Sequence, residues 1–518
     1  MTQDQVTLDE YKPYIADELI ERGHARRMGH LENYFALLQR QKLYTNFSIY
    51  GELNKEVKDV DLTRALRSII FKNPILAHTI VPKKYPDQEP FYQSEEYLNA
   101  PYPEHDFIKV LPKLSLSDIL INEQEEFREI VDDILTQFKE ANGVITPDIM
   151  KAVAYVIIPI CDPSRPNWRL FRLSPTKFFY ISNHCTSDAI SGVNIFQDIC
   201  TELSQNDEEP FRDDLQIFNY EEDWESFHKI YIPITDIIEY RPALTSLPKI
   251  IASALVKGFL NYRNWPTELT STNDKGIPFD FNIITFTNDE VNSIRETVKK
   301  YNCTFTPFLQ ACWFVAMFNN GKIFHMDSWR EWGLDVAIPS NSRRFLADEE
   351  LKDIYKYGSN VGGLHYTHLI SSFNIQLDEK EKFWDLVQYY QDGYTKSYEN
   401  GDHFSGLGLL MMDGLVKRQN IDKVISSDYL HKTRAGVLFS NAGFFPQDRT
   451  QAYHVNDLLF TQSQGAMKFS FGLNIATTNI GGMNIAINVA QGTFDDEEGI
   501  IDLSQDFYRN IKSFSNIA

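Results

Sequence analysis

The apolar residues of the first half of the chain recur in short stretches with two kinds of spacing. Over 15–42 they recur at the three-to-four-residue interval of a helix that is apolar on one face. Two stretches rich in aromatic and β-branched residues, 153–160 and 177–182, predict strands. The first half is therefore predicted to contain both helices and strands.

The second half begins with two helical patterns and continues with strands. Asn288 is the predicted N-cap of the first helix, and "FTPFLQACWFVAMF" predicts a second helix with Thr306 as cap and Pro307 at its first position. Strands are predicted for "LDVAIPS", "THLISSFNI", "AGVLFS", "MKFSFGLNI" and "GMNIAINVAQG". Apolar residues alternate from Met483 to Val489 in the last of these. Because the order lacks a regular βαβ rhythm, we predict a mixed α/β fold, not a doubly wound parallel sheet.

The length of the chain predicts two domains. It has 518 residues, 43% of them hydrophobic, and a single core stops growing at about 250 to 300 residues. The polar, turn-rich stretch "NWPTELTSTNDKGIPFD" is the best boundary. We therefore predict an N-terminal domain over 1–263, a linker over 264–280 and a C-terminal domain over 281–518.

Charge and cysteine content exclude several classes of function. The formal net charge of -22 disfavours nucleic acid as a partner, because most of the surface would repel phosphates. Five widely spaced cysteines without a CxxC pair argue against a disulfide framework and a thiolate zinc site. We also expect no metal site. The N-terminal stretch has no secretory signal pattern, so we expect an intracellular protein.

The candidate chemistry lies where the strand predicted over 177–182 ends. In "FFYISNHCTSDAISGVNIF" the apolar run stops at Asn183, and His184 and Asp188 follow before a helical pattern begins. A histidine placed there can act as a general base toward a hydroxyl or an amine. The structural alternative is that Ser187 or Asp188 caps the helix and His184 is an ordinary strand-end residue. The pattern alone leaves both interpretations open.

Other catalytic motifs are missing from the sequence. The chain has no GxxxxGK[ST] loop, no HExxH helix, no GxSxG elbow and no GxGxxG after a strand. The glycine-rich "TTNIGGMN" and "GSNVGG" lack the helix pattern of a phosphate loop and predict turns between strands. The histidine motif is therefore the main lead to function.

Many blocks of the sequence occur in the same order in one known family. They are "ELIERGHARRMGHLENYFALLQRQKLY", "HDFIKV", "RPNWRL", "NHCTSDAISG", "RPALTSLPK", "TFTPFLQACW", "DVAIPSNSRRFL", "YGSNVGG", "FSNAG" and "FSFGLNI". Over nearly its whole length the chain resembles the fungal alcohol O-acetyltransferases. They belong to the acyl-CoA-dependent superfamily that includes chloramphenicol acetyltransferase, plant BAHD enzymes and the condensation domains of peptide synthetases.

The resemblance implies a fold and a mechanism. It implies two chloramphenicol-acetyltransferase-like domains with mixed sheets, flanking helices and a tunnel between them. His184 in mid-tunnel would take the proton of an acceptor hydroxyl while the oxygen attacks the thioester of acetyl-CoA, and would return it to the departing sulfur. No acyl-enzyme is needed in this mechanism, so Cys185 is expected to be a small hydrophobic residue that fills space.

The resemblance also assigns roles to residues outside the histidine motif. Asp188 would pair with Arg343 and thereby hold the loop that carries His184. Ser440 and Asn441, at a predicted strand end, are candidate donors to the oxyanion, with a satisfied turn as the alternative. The remaining expected tunnel residues are Gly358, Asn360, Phe471 and Gly472.

The resemblance further suggests acceptors and a location. The expected acceptors are small hydrophobic alcohols such as ethanol, isoamyl or phenylethyl alcohol, with sterols and amines as alternatives. We expect a monomer that associates peripherally with the cytoplasmic face of the endoplasmic reticulum or with lipid droplets. Two segments could contact lipid: 247–260, whose alternative is an ordinary core helix, and the C-terminal residues Phe507, Ile511 and Phe514, whose alternative is docking on the fold.

Two rival functions use the same residues. A binding protein could keep the fold without turnover, although His184 and Asp188 are both present. A hydrolase could direct water instead of an alcohol at acetyl-CoA or at an acetate ester. Release of thiol that depends on the acceptor distinguishes the transferase from both.

Overall fold

The structure of the protein is a computed structural model. It describes residues 15–81, 95, 106–205, 215–242, 248, 267–268, 279–320, 333–411, 421–423, 425, 433–434, 436–463, 469–491, 493–494 and 498–517. The predicted linker lies mostly outside this range, and the predicted lipid-binding segment 247–260 lies outside it except for residue 248.

Helices and strands alternate irregularly along the described residues. The helices are α1 Asp17–Glu21, α2 His30–Arg40, α3 Asp59–Lys72, α4 Leu116–Ile119, α5 Arg128–Glu140, α6 Pro147–Ala154, α7 Ala189–Ser204, α8 Tyr220–Asp223, α9 Asn288–Lys300, α10 Phe305–Asn319, α11 Glu349–Ile354, α12 Lys380–Asn400, α13 Asp402–Gly408 and α14 Glu498–Ser515. The strands of the first half are β1 Ala25–Arg27, β2 Phe47–Leu53, β3 His78–Val81, β4 Phe107–Val110, β5 Lys113–Ser115, β6 Trp168–Ser174, β7 Lys177–Ser182, β8 Gln216–Asn219 and β9 Thr267–Glu268. The strands of the second half are β10 Phe279–Phe286, β11 Gly333–Asn341, β12 Val361–Leu369, β13 Thr433–Arg434, β14 Gly436–Phe445, β15 Val455–Gln462, β16 Phe471–Thr478 and β17 Gly482–Ala490.

Two larger sheets organise these elements. In the described part of the chain, one sheet has the order β15-β2-β7-β6 and is antiparallel throughout. The other has the order β10-β17-β16-β14-β11-β12, with parallel pairs on both sides of β14 and antiparallel pairs elsewhere. The predicted mixed α/β fold is confirmed by these sheets and their flanking helices.

The two halves of the chain are interleaved. Strand β15 comes from the second half, yet it pairs with β2 at the edge of the first sheet. Antiparallel hydrogen bonding there joins Val455 to Leu53 and Gln462 to Phe47. No single cut in the sequence therefore separates the two sheets, and the boundary at 264–280 stays a prediction.

The core of the second half is built around α10. Its sequence is apolar on all sides, which is typical of a fully buried helix, and Trp313 at its centre is completely buried. Helices α12 and α14 pack against it. Phe507, Ile511 and Phe514 of α14 are fully buried in this core, so they dock on the fold and are not available to lipid.

The structure corrects several local predictions. The helical pattern over 15–42 is interrupted by β1 Ala25–Arg27, and the strand predicted for "THLISSFNI" ends at Leu369, before a 3-10 helix over Ile370–Phe373. Residues 147–154 form α6 where a strand was predicted from 153, because Thr146 caps the helix and Pro147 occupies its first position. The cap of α9 is Thr287, whose hydroxyl accepts from the Glu290 amide, and not Asn288. Helix α10 follows Thr304, so Pro307 stands at its third position, where the amide hydrogen has no intrahelical partner.

Candidate active site

His184 follows the end of strand β7 and precedes helix α7. The strand ends at Ser182, and the helix begins at Ala189. The Asn183 side chain tightens the connection, because its Oδ1 accepts from the Cys185 amide at 3.1 Å. The imidazole is thus carried on a short loop between two packed elements, as the sequence predicts.

The imidazole of His184 lies among aromatic rings with one nitrogen near a hydroxyl. The ring of Phe35 is stacked on it, with 4.0 Å between centroids and 9° between planes. The Ser359 hydroxyl lies 3.4 Å from Nδ1. Burial lowers the pKa of His184 to about 4, although the Asp188 carboxylate acts in the opposite direction. The ring is therefore neutral at neutral pH and can accept a proton.

The carboxylate of Asp188 both caps helix α7 and pairs with Arg343. Its Oδ1 accepts from the backbone amide of Ser191 at 2.8 Å and so caps α7. Its two oxygens also accept from Arg343, from Nη1 at 2.7 Å and from Nη2 at 3.2 Å. The backbone amide of Asn360 donates to Oδ2 at 3.0 Å. The helix cap, which the sequence pattern indicates, and the pair with Arg343, which the resemblance implies, are both made by this one carboxylate.

Arg343 connects this carboxylate to the loop that follows α11. Its Nε donates to the Tyr355 carbonyl at 2.6 Å, and its Nη2 donates to the carbonyls of Lys356 at 3.0 Å and Gly358 at 3.3 Å. Gly358 has a φ of +126°, a conformation that favours glycine. The two N–H groups of Nη2 are shared among these acceptors, and a planar guanidinium offers five donors where the ammonium of lysine offers three.

Two cavities adjoin this network. The larger, about 960 Å³, is lined by His184 and Phe35 from the first half and by many residues of the second half. The smaller, about 520 Å³, is lined by Gly358, Ser359 and Asn360. Ser359 is also the neighbour of the His184 Nδ1, so the loop 358–360 stands between the imidazole and the smaller cavity.

Ser440 and Asn441 both line the larger cavity, but their hydrogen bonding differs. The Asn441 amide nitrogen donates to the Thr306 hydroxyl at 3.1 Å, and its oxygen accepts from the Gly443 amide at 2.9 Å. These bonds stabilise the shift of register between β14 and β16 at this point. The side chain of Asn441 is therefore engaged within the fold.

Phe471 and Gly472 belong to strand β16. Phe471 is fully buried and packs edge-on against Trp313. Neither residue lines the two cavities identified among the described residues. Gly472 pairs with Leu438 of β14, which does line the larger cavity, so any influence of this pair on the cavity is indirect.

Phe35 and Ser359 are among the neighbours of the imidazole that the sequence patterns did not indicate. Phe35 belongs to the apolar pattern over 15–42, and Ser359 to the "YGSNVGG" block, but neither pattern indicates contact with His184. Both residues are distant from the histidine in sequence and meet it only through the packing of α2 and the 358–360 loop. A lone aromatic residue is too common in a sequence to indicate a contact with His184.

Comparison with known proteins identifies the family. A model of the alcohol acetyltransferase family matches residues 27–511. Alcohol O-acetyltransferase 2 of Saccharomyces cerevisiae is 45% identical over 98% of this chain and 99% of its own length. This chain belongs to the alcohol acetyltransferase family. Alcohol O-acetyltransferase 1 of the same yeast is 36% identical over 94% of both chains.

Solved structures share the fold of this alcohol acetyltransferase at low identity. The trichothecene 15-O-acetyltransferase TRI3 of Fusarium sporotrichioides has a TM-score of 0.61 at 12% identity, over 95% of both chains. The epimerization domain of tyrocidine synthetase B has a TM-score of 0.55 at 12% identity, over 95% of this chain and 96% of its own. The predicted two-domain, chloramphenicol-acetyltransferase-like fold is thereby confirmed.

Three further observations on the alcohol acetyltransferase concern its cysteines, metals and membranes. The thiol of Cys185 is completely buried, and burial raises its pKa far above the usual value, so it stays protonated. Among the described residues, no cluster of three or more His, Cys, Asp or Glu could hold a metal ion. None of the described helices has the length and apolar content needed to cross a bilayer.

Proposed function

We propose that the protein transfers the acetyl group of acetyl-CoA directly to the hydroxyl of a small hydrophobic alcohol. The observation that carries this proposal is the neutral imidazole of His184 at the wall of the larger cavity. The family match and the names of the two yeast relatives support the acetyl group and the alcohol.

His184 is the general base of the proposed reaction. Its Nε2 takes the hydroxyl proton while the alcohol oxygen forms a bond to the thioester carbon. A tetrahedral intermediate and an imidazolium result. When the intermediate collapses, the carbon–sulfur bond breaks, and the proton moves from Nε2 to the departing sulfur. The products are an acetate ester and CoA, and His184 is neutral again.

Ser440 is the proposed donor to the oxyanion of this intermediate. Ser440 lines the same cavity as His184, whereas the side chain of Asn441 is engaged with Thr306 and Gly443. A donor aimed at developing negative charge stabilises the transition state more than the ground state. Gly358 and Asn360 contribute by holding the loop beside the imidazole.

The lining of the larger cavity supports a hydrophobic acceptor. Its apolar members include Ile338, Leu364, Leu407, Leu438 and Phe469. Isoamyl, ethyl and phenylethyl alcohols are the acceptors we propose to test first. A sterol or an amine would accept the acetyl group by the same chemistry, so both belong in the panel of acceptors to be tested.

We also propose a monomer that associates peripherally with the endoplasmic reticulum or with lipid droplets. The buried apolar face of α14 removes one candidate for lipid contact. The segment 247–260 remains the candidate, and its deletion should move the protein from the membrane fraction to the supernatant of a cell lysate. Unchanged fractionation after this deletion would contradict the assignment.

The decisive experiment removes the base. His184→Ala should lose at least about 10²-fold in acetyl transfer without loss of fold. His454→Ala is the matched control, because this half-buried histidine lies outside both cavities. Thiol release from acetyl-CoA should require the alcohol. Release without alcohol would indicate a hydrolase, and absence of release a binding protein.

A further inference from the structure

Three aromatic rings surround the imidazole of His184, and one of them is parallel to it. The centroid of the Phe47 ring is 5.2 Å away with its plane tilted by 53°, and that of Tyr44 is 6.0 Å away at 58°. The ring of Phe35 is at 4.0 Å and 9°. Phe35 thus covers one face of the imidazole, while the two other rings present tilted contacts.

Polar contacts with Ser359 and with the backbone of His184 and Ser187 restrain one edge of the His184 ring. The Ser359 hydroxyl is 3.4 Å from Nδ1, which is near the upper limit for a hydrogen bond. The torsion that turns an imidazole about its bond to Cβ has a broad energy profile. A general base must hold its nitrogen within hydrogen-bond reach of one hydroxyl, and packing against the face of the ring adds to the restraint that these polar contacts supply.

Phe35 is itself held rigidly enough to supply that restraint. It is 4% exposed and lies in the middle of α2. At the start of this helix, Glu32 pairs with both terminal nitrogens of Arg26 at 2.8 and 2.7 Å. At its end, Arg40 lies 3.3 Å from the buried carboxylate of Asp422. Ion pairs at both ends therefore fix the helix that carries the stacked ring.

We propose that Phe35 is a positioning residue for His184, fixing the plane of the imidazole and stabilising the imidazolium that forms during acetyl transfer. The proposal rests on the proposed function, since the imidazolium exists only if His184 accepts the alcohol proton. A cation over the face of an aromatic ring is attracted by the π electrons, most strongly where water is excluded. Phe35 exchanges no atom or proton in this role.

The test compares two substitutions of Phe35 with a control on Phe47. Phe35→Leu keeps an apolar side chain but removes the aromatic face, and kcat should fall about tenfold while both KM values change less than about twofold. Phe35→Tyr keeps the face and should restore kcat to within about twofold of the original protein. Phe47→Leu removes an equally buried ring that contacts the imidazole without stacking on it, so the melting temperature should fall similarly and kcat should fall less than in Phe35→Leu.

The outcomes separate this proposal from the proposed function. Absence of acetyl transfer by the unaltered protein would refute the proposed function itself. If the unaltered protein transfers acetyl normally and folded Phe35→Leu has an unchanged kcat, only the role of Phe35 is overturned. A loss of kcat in Phe47→Leu equal to that in Phe35→Leu would overturn the same role. If Phe35→Leu does not fold, Phe35→Met provides the same comparison with a side chain that fills irregular spaces well.

Discussion

The guanidinium of Arg343 donates to both carboxylate oxygens of Asp188, and the same carboxylate caps the helix that follows the loop with His184. Burial alone would raise the pKa of Asp188, but the adjacent guanidinium and the amides of Ser191 and Asn360 lower it below the usual value. Because the partners lie in different halves of the chain, this ion pair connects the stability of the junction with the position of His184.

Asp188→Asn should destabilise the protein and reduce its activity. Asparagine caps helices about as well as aspartate, so the cap survives, but the guanidinium of Arg343 is left buried without its counter-ion. Removing one partner of a buried pair costs about 3 to 5 kcal/mol. Thermal unfolding and the rate of acetyl transfer measure the two effects.

The control for this substitution is Asp348→Asn. Asp348 caps α11 by accepting from the Leu351 amide at 2.7 Å, and it is exposed to solvent. Its substitution should be nearly silent. A double-mutant cycle over Asp188 and Arg343 should give a coupling of about 0.5 to 3 kcal/mol. Strictly additive effects would show that the two residues do not act as a pair.

The acid limb of the pH–rate profile should lie well below pH 6.5. Because the pKa of His184 is lowered to about 4, the imidazole stays neutral as the pH falls from 7 toward 5, and kcat/KM should persist. Activity should disappear only as the pH falls through about 4, when the base is protonated. A limb centred at pH 6.5 or higher would contradict this environment of His184.

Stability should decrease over part of the same range of pH. The buried imidazole of His78 also has its pKa lowered to about 4, so the unfolded chain binds protons at both histidines from about pH 6.5, before the folded protein does. The melting temperature should therefore fall as the pH is lowered from 6.5 toward 4. Rates must be recorded below the melting temperature at each pH.

Ser440→Ala should lower kcat more than it raises either KM. Loss of a donor to an oxyanion costs about 10²- to 10³-fold in enzymes where it has been removed. Asn441→Ala is the comparison, and it should chiefly lower the melting temperature because its bonds hold the backbone at the β14 irregularity. If Ser440→Ala leaves kcat unchanged, the donor to the oxyanion is another group.

Cys185→Ala should remain active. Its thiol is buried and protonated, so it offers no nucleophile, and the substitution should cost only about 1 kcal/mol of stability. Cys200→Ala, at an equally buried cysteine away from the imidazole, is the control. An inactive but folded Cys185→Ala, together with an acetyl thioester trapped on Cys185, would show that transfer is not direct.

Local sequence patterns predicted the strands and helices that are determined by residues close together in the chain. The alternation from Met483 to Val489 gave β17, and the apolar run over 177–182 gave the strand before His184. The strand predicted over 153–160 was wrong because the cap-and-proline signal at Thr146 and Pro147 begins a helix. Helix signals of this kind are local, and they were present in the sequence.

Long-range contacts could be anticipated only through the family. The pairing of Asp188 with Arg343 joins residues far apart in sequence, and the resemblance suggested it where spacing could not. The stacking of Phe35 on His184 was not anticipated, because apolar periodicity tells which face of a helix is buried and not which side chain it meets. The same reason explains why the interleaving of the two halves was missed.

The place of β15 bears on how the protein is made in the cell. A ribosome releases β2 roughly 400 residues before it releases the strand that covers its edge. At about 5 to 20 residues per second, the nascent first sheet waits roughly 20 to 80 s with that edge unpaired. Exposed edges invite pairing with other chains. Synthesis of this enzyme therefore includes an interval in which chaperones can influence its yield.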